Sequence, residues 1–304
     1  MVEYCRYPYH ILCYPPVGNT LKGGAVLQFC TLFSGSSGNA VYLSTEHGGL
    51  LIDCGMSGRQ TLEAMVKAGL SPAAVHAILI THEHSDHIKG AGVVSRKLGV
   101  PIYAPAGTWE GMAASVGEIP AQNRVVIGAG NTIRENVTVH RALDEDEATI
   151  VGDNNLLMVN VHIAHDCRVG NNTIFANNAM LAGHVTVGDR AYVSGGVAVH
   201  QFCRIGSLAM VGGQSHIIKD VPPFVTVDGL SSYIVGLNHI GLRRAGHSSA
   251  EIARLKDAYR IIYRSGLTWN EILARLQEEF STGLSAQFHQ FLSTTTRGIV
   301  QERR

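Results

Sequence analysis

The chain has 304 residues, of which 45% are hydrophobic and 34 are glycine, a composition typical of a turn-rich globular protein and not of a disordered one. The formal net charge is zero, so nothing favours a nucleic-acid or anionic-membrane surface. No apolar run approaches the roughly 20 residues of a membrane span, and the N-terminal segment lacks the apolar stretch of a signal peptide. We therefore expect a cytoplasmic protein with no transmembrane segment and no nucleic-acid partner, whose six cysteines are reduced.

The first 122 residues divide into two parts. Residues 1–27 show no periodicity, and we expect an irregular leader there. In residues 28–122, short apolar runs typical of buried strands alternate with segments of helical pattern, which predicts an α/β unit. The strand candidates are 40–43, 50–52 and 77–80, and the helix candidates are 61–68 and 90–98.

A cluster of metal-binding residue types follows the last of these strand candidates. The segment 81–87 reads THEHSDH, with two histidines on alternate residues beyond the strand end and an Asp-His pair on the turn. Such convergence suits a binuclear zinc site that converts water into a nucleophile, whereas a surface histidine cluster is the alternative. The predicted ligands are His82, His84, Asp86 and His87.

Together with FSGSSGN at 33–39 and LIDCG at 51–55, this motif resembles the metallo-β-lactamase superfamily, closest to its hydrolases and nucleases that act on phosphoesters. The resemblance covers about residues 28–118. The superfamily fold needs a longer chain, and its second half brings another histidine ligand, a bridging aspartate and a final histidine. None of these is found after Gly90 and before the next segment, so the resemblance implies a partial unit with four ligands for one zinc ion.

Within the segment 123–228, apolar residues recur at a spacing of six, a period that neither an α-helix nor an alternating strand produces. It predicts a parallel β-helix of three-sided coils, in which each hexapeptide contributes one side chain to the core. The phase extends backward through Ile127, Ile133 and Val139, across a polar excursion at 144–147. The twelve residues of the uninterrupted series are Val151, Leu157, Ile163, Val169, Phe175, Leu181, Val187, Val193, Val199, Ile205, Val211 and Ile217.

The repeat also brings polar residues together. Three hexapeptides make an 18-residue coil, so residues 18 apart stack at about 4.8 Å. One patch therefore combines His165, Asp166, Gly183, His184, His200 and Gln201. A neutral imidazole beside a carboxylate can act as a general base with its orienting partner, and a glycine N–H suits a developing oxyanion. Ordinary surface histidines are one alternative. Metal binding is another, less favoured because a flat face does not preset a tetrahedral site.

Residues 229–304 are predicted to form a helical domain. Ser248 with Glu251, and Thr268 with Glu271, have the spacing of capping boxes. Each pair is followed by an apolar stripe of helical period, which we expect to pack on the β-helix or on the other helix.

The second half of the chain resembles the UDP-N-acetylglucosamine O-acyltransferase family of lipid A biosynthesis, from about residue 125 to the C-terminus. The resemblance rests on DNNLLM at 153–158, HIAHDC at 162–167, ANNA at 176–179, LAGHV at 181–185, AVHQF at 198–202, DVPP at 220–223, GLRR at 241–244 and YRSG at 263–266. It is specific, because a generic hexapeptide repeat requires none of these polar residues.

This resemblance implies a left-handed β-helix and a homotrimer with active sites between subunits. It implies transfer of a 3-hydroxyacyl group from acyl carrier protein to the 3-hydroxyl of UDP-N-acetylglucosamine, the first step of lipid A biosynthesis, without a cofactor. By position, His165 is the implied base, Asp166 its orienting partner and Gly183 the oxyanion donor. The implied substrate contacts are His140, His184, His200, Gln201, Asn238 and Arg244, with Gly213 gauging acyl length.

Two kinds of departure from the family stand out. Ile240 replaces a usual glutamate and Ala245 replaces a second arginine, changes that weaken the expected nucleotide contacts. The family's first coils are absent, and the chain resembles the front of one protein joined to the back of another near residues 120–130. The sequence does not distinguish a natural fusion from a rearranged gene or an artificial join.

Three functions follow from these observations. We expect acyl transfer as the main one. The second is a zinc-dependent hydrolase, phosphodiesterase- or nuclease-like, whose β-helix serves for trimerisation; zinc content and phosphodiesterase turnover would support it. The third is an inactive interaction module, which trimers without turnover would favour.

Overall fold

The computed structural model describes residues 12–13, 27–45 and 48–303. They belong to two compact units: Met1–Gly128 with Arg141–Thr149, and Ala129–His140 with Ile150–Arg304. The predicted leader lies almost wholly outside the described residues. No helix in the described part is both long and apolar enough to cross a membrane.

The first unit contains a seven-stranded sheet in chain order, antiparallel from β1 to β4 and parallel from β4 to β7. Its strands are β1 Leu12–Cys13, β2 Gln28–Phe33, β3 Ala40–Thr45, β4 Gly48–Ile52, β5 Val75–Leu79, β6 Ile102–Ala104 and β7 Arg124–Ile127. Its helices are α1 Gly58–Lys67, α2 Ser85–Ile88, α3 Ala91–Leu98 and α4 Ala106–Val116, with 3₁₀ turns at Pro72–Ala74 and Ala121–Asn123. The predicted α/β alternation is confirmed.

The core of this unit explains why those segments fold. Leu51, Ile78 and Ile102 lie on adjacent parallel strands and are fully buried, as expected where helices cover a parallel sheet. Helix α1 begins with a capping box between Ser57 and Gln60. Strand β7, which we assigned to the first coil of the β-helix, pairs in parallel with β6.

The cysteine prediction is correct in part. Cys54, Cys167 and Cys203 are free and buried. Cys30 is disulfide-bonded, so the expectation that all six are reduced is wrong at this residue.

The second unit is a parallel β-helix with three faces, which we name A, B and C. Residues 18 apart pair in register on each face, for example Leu157 with Phe175 and Ile163 with Leu181. Face A contains β10 Thr149–Val151, β13 Arg168–Val169, β16 Thr186–Val187 and β19 Arg204–Ile205. Face B contains β8 Thr132–Ile133, β11 Leu156–Leu157, β14 Ile174–Phe175, β17 Tyr192–Val193, β20 Met210–Val211 and β22 Val225–Val227, and is extended by antiparallel β23 Ile234–Leu237. Face C contains β9 Thr138–Val139, β12 His162–Ile163, β15 Met180–Leu181, β18 Ala198–Val199 and β21 His216–Ile217.

The six-residue period defines the core as predicted. All twelve residues of the uninterrupted series, from Val151 to Ile217, are at most 3% exposed. Burial decreases in the first coil, where Ile133 is 46% exposed. The corners between faces repeatedly use left-handed backbone, including Asp166 at φ 59° and His184 at φ 60°.

Four helices follow the β-helix: α5 His239–Arg244, α6 Ser249–Arg264, α7 Trp269–Glu279 and α8 Ala286–Leu292. Both predicted capping boxes, at the starts of α6 and α7, are present. The apolar stripes of these helices are mostly buried and join the core of the β-helix. In this contact Phe288 meets Phe224 edge-to-face at 5.5 Å.

Candidate active site

The site begins at the corner that follows β12. His165 Nδ1 donates a hydrogen bond to Asp166 Oδ2 at 2.6 Å. The Asp166 side chain is only 1% exposed, whereas that of His165 is 27% exposed. The left-handed backbone at Asp166 lets two consecutive side chains meet, and the contact fixes the tautomer that leaves His165 Nε2 with a free lone pair.

Gly183 lies one coil above His165. A Cβ built on Gly183 would fall 2.3 Å from His165 Cε1 and 2.6 Å from Nε2, so only glycine admits the imidazole at this place. Within the described residues the Gly183 N–H donates to no protein acceptor. Gly183 therefore leaves space for the His165 imidazole and keeps its own N–H available as a donor near His165 Nε2.

His184 and Phe202 close one side of the corner. His184 Nε2 is 3.7 Å from Asp166 Oδ2, and the His184 ring lies perpendicular to that of His165 with centroids 5.2 Å apart. Phe202, one coil further, stacks on His184 at 4.5 Å. Asp166 thus faces two imidazoles, and the stacked phenyl ring holds the second of them.

Three further predicted contacts lie around this corner. His200 and Gln201 are exposed on the next coil, where His200 Nδ1 donates to Gln201 O at 3.1 Å. On the coil below, the exposed His140 meets His162 edge-to-face at 4.7 Å. His162 Nδ1 is 2.7 Å from Thr138 Oγ1, and burial, with a smaller contribution from His140, lowers the His162 pKa.

Asn238 and Arg244 line a separate cavity of about 950 Å³ along face B and α5. Asn238 caps α5 through Gly241 N–H, and its Nδ2 donates to Leu208 O at 2.9 Å. Gly213 does not line this cavity. A Cβ added at Gly213 would lie 3.3 Å from Gly195 O on the neighbouring coil. Within one chain the histidine corner and the Asn238 cavity therefore belong to different parts of the β-helix.

Sequence reasoning missed several residues of the cavity. Asn172 and Arg190 stack 18 residues apart on its wall, and Tyr192 follows on face B. The 18-residue column would have joined the first two. The spacing alone does not indicate a cavity at this column, because the residues on the opposite side of the cavity come from α5, which lies outside the repeat.

The zinc motif in the first unit is partly assembled. The ring centroid of His82 lies 3.9 Å from that of His87, in a tilted arrangement, and 4.7 Å from that of His84, edge-to-face. His87 Nδ1 donates to the buried Asp53 carboxylate at 2.7 Å, while His87 Nε2 faces Asp86 Oδ2 at 3.5 Å. Orientation of a histidine by a carboxylate is common behind metal ligands.

Among the described residues, His165, Asp166 and His184 form one group whose possible metal-ligand atoms all lie within 4.8 Å of one another. There the short hydrogen bond to Asp166 already engages His165 Nδ1. The motif at 82–87 does not form such a group, and zinc binding at its four residues stays a prediction.

Comparisons with known proteins now identify the second half of the chain. The family model "Udp N-acetylglucosamine O-acyltransferase; Domain 2" matches residues 220–300. Relatives named acyl-[acyl-carrier-protein]--UDP-N-acetylglucosamine O-acyltransferase include that of Gloeothece citriformis, 47% identical over 59% of this chain and 65% of the relative. That of Burkholderia orbicola is 42% identical over 63% of this chain and 78% of the relative. The chain belongs to the UDP-N-acetylglucosamine O-acyltransferase family.

Solved structures agree with this assignment. The UDP-N-acetylglucosamine acyltransferase of Campylobacter jejuni has a TM-score of 0.55 at 38% identity, covering 59% of this chain and 71% of that one. The Arabidopsis enzyme of the same name has a TM-score of 0.55 at 42% identity, covering 58% and 65%. The chain shares the left-handed β-helix of this acyltransferase family and spans about two thirds of the length of the first relatives.

The metallo-β-lactamase superfamily model matches residues 34–183. This confirms the resemblance of the first part of the chain to the metallo-β-lactamase superfamily. The match extends beyond residue 118, where we expected it to end, and continues into coils that the structure folds as β-helix.

Proposed function

We propose that this acyltransferase family member moves a 3-hydroxyacyl group from acyl carrier protein to the 3-hydroxyl of UDP-N-acetylglucosamine. The observation that carries the proposal is the 2.6 Å hydrogen bond from His165 to Asp166 beneath the open backbone of Gly183. It supplies an oriented base and an oxyanion donor at one point, which are the parts that acyl transfer needs.

In the proposed mechanism, His165 Nε2 removes the proton of the sugar 3-hydroxyl as that oxygen attacks the thioester carbonyl. Asp166 keeps the proton on Nδ1 and stabilises the imidazolium that forms. The Gly183 N–H donates to the tetrahedral oxyanion. The carbon–sulfur bond then breaks, and the proton on Nε2 passes to the departing thiolate, so the base is regenerated without a cofactor.

The substrate contacts in this proposal lie on two parts of the β-helix. His140, His184, His200 and Gln201 surround the base, whereas Asn238 and Arg244 line the cavity along face B. One nucleotide sugar can use both sets if neighbouring subunits face each other, so we propose a homotrimer with sites between subunits. Gly213 is proposed to gauge acyl length, and the cytoplasm is the proposed location.

The test is transfer of a hydroxyacyl group from acyl carrier protein to UDP-N-acetylglucosamine, comparing the wild type with His165→Ala. Turnover by the wild type and its loss in the variant are expected. The matched control is His216→Ala, an exposed histidine on face C two coils beyond β15. Absence of turnover in a folded wild-type trimer would contradict the proposal.

A second candidate is a zinc-dependent hydrolase in the first unit. It is favoured by the Asp53–His87 hydrogen bond, which orients His87. Asn39 Nδ2 lies 3.0 Å from Asp86 Oδ2 and 3.2 Å from His87 Nε2, so these two predicted ligand atoms converge on the Asn39 amide, whose place a bound ion would have to take. His82, His84, Asp86 and His87 would hold the ion, and bound zinc supplies a nucleophilic water.

Zinc content and turnover of bis(p-nitrophenyl) phosphate test this candidate. His84→Ala is expected to lower both, while His76→Ala, an exposed histidine on β5, leaves both unchanged. A wild type that binds no zinc when the metal is supplied would remove the candidate.

A further inference from the structure

The cavity along face B has an unusual charge balance. Sixteen residues line it, and these include Arg190 and Arg244 but no aspartate or glutamate. The rest of the wall is largely apolar, with Ile174 and Met210 on the two strands of face B that flank β17. Such a cavity suits a ligand that presents an anionic group to the two arginines.

Arg190 lies close to Asn238, one of the proposed substrate contacts. Leu208 lies one coil after Arg190 in the same corner column, and both adopt left-handed backbone, with φ of 56° and 57°. Asn238 Nδ2 donates to Leu208 O, and Leu208 N–H donates to Asp189 O, the residue just before Arg190. The start of α5 is therefore fixed one coil from Arg190, and the last residue of α5 is Arg244.

Neither guanidinium is neutralised by the protein. In the described part of the chain no carboxylate lies within ion-pair distance of Arg190 or Arg244. Asp189, next to Arg190 in sequence, uses its carboxylate to accept Asn171 N–H at 2.7 Å. Two unpaired arginines lining the same cavity favour an anionic ligand bound there.

We infer that Arg190 and Arg244 together bind the diphosphate of the nucleotide sugar, and that Arg190 supplies the second cation which Ala245 lacks. The inference rests on the proposed function for the identity of the ligand. Arg190, which lies on the β-helix and not on α5, would then contribute to recognition of the diphosphate.

The experiment is calorimetric titration of the full chain with UDP and with uridine. Arg190→Gln is expected to weaken UDP binding about tenfold or more, because charge-assisted hydrogen bonds to phosphate are lost, and to leave uridine binding unchanged. Arg190→Lys keeps the charge and should retain part of the affinity. Arg243→Gln is the matched control, since Arg243 is exposed on α5 and does not line the cavity.

The inference would be overturned if the wild type bound no UDP at millimolar concentration, or if Arg190→Gln and the wild type bound UDP with equal affinity. It would also be overturned if Arg190→Gln lost as much affinity for uridine as for UDP, since that would indicate general damage to the cavity. The acyl-transfer assay separates this inference from the proposed function. Arginine-dependent UDP binding without turnover would sustain the inference and contradict the function, whereas turnover with unchanged UDP binding in Arg190→Gln would do the reverse.

Discussion

The backbone of Gly183 lies against the imidazole of His165, closely enough that a single added carbon would fall 2.6 Å from Nε2. A contact this short cannot be accommodated without moving the ring, because a Cβ atom does not approach a non-bonded atom within about 3.0 Å. The geometry of the base is therefore set by the residue one coil above it as much as by Asp166.

Gly183→Ala tests that relationship. We expect the proposed transfer to slow by about 100-fold, because an ångström-scale displacement of a reacting group has a cost of that order. UDP binding should not change. The control is Gly195→Ala, whose added carbon would meet only Asn177 O, at 3.2 Å. Steady-state kinetics that show equal rates for both variants would contradict the proposed position of the base.

Asp166→Asn removes the charge that orients His165 while keeping a residue type that tolerates the left-handed backbone found there. A loss of about 10²- to 10⁴-fold in kcat is expected, since an amide can stabilise the wrong imidazole tautomer. The control is Asp153→Asn, whose carboxylate accepts Ala129 N–H. The prediction fails if kcat falls no further than in this control.

His162 should make the protein sensitive to mild acid. Burial and the neighbouring His140 lower the pKa of His162 below its ordinary 6.5, so the folded state favours the neutral ring. Its contribution to stability is present above pH 6.5 and is lost as the pH falls through the folded-state pKa. Between pH 8 and pH 5, His162→Gln should therefore lose less stability than the wild type, as measured by thermal unfolding. Parallel curves for the two proteins would refute the prediction.

The buried thiols should be unreactive in the folded chain. Burial raises the pKa of Cys54 to about 11 and that of Cys167 to about 12, so few thiolates exist at pH 8. Mass spectrometry after iodoacetamide treatment should find both residues unmodified in the native protein and alkylated in urea. Modification of Cys54 without denaturant would show that the first unit opens.

The sequence predicted those features that depend on the repeat. Period six places one buried side chain per face, and its multiple of 18 predicts that His165, Gly183 and Asp166 meet at one corner, as they do in the structure. The same arithmetic could not reach the cavity along face B, because Asn238 arrives there through the antiparallel β23 and α5, whose positions the repeat does not encode. Nor could it reveal that Ile133 is largely exposed, since periodicity does not report how completely a coil is covered.

Asp220, which sequence reasoning used only as part of a family motif, connects the β-helix to the helical tail. Its carboxylate accepts hydrogen bonds from Arg204 N–H, from the Arg204 guanidinium at 2.9 Å and from Thr295 Oγ1. The same guanidinium donates to Phe291 O and lies over the Phe291 ring, at 4.2 Å from its centroid. The Asp220 carboxylate is therefore buried, at 1% exposure, whereas the Arg204 side chain is 25% exposed.

Asp220→Ala should loosen the tail. Removing one partner of a buried ion pair leaves the other charge uncompensated, at a cost of about 3 kcal/mol. Because a chain of two units need not unfold in one step, hydrogen exchange of α8 is a better measure than a global unfolding curve. The control is Asp257→Ala, which breaks an exposed pair with Arg260 and should cost less than about 1 kcal/mol. If α8 exchanges equally fast in both variants, Asp220 does not hold the tail, and the buried contact of Phe288 with Phe224 suffices to dock it.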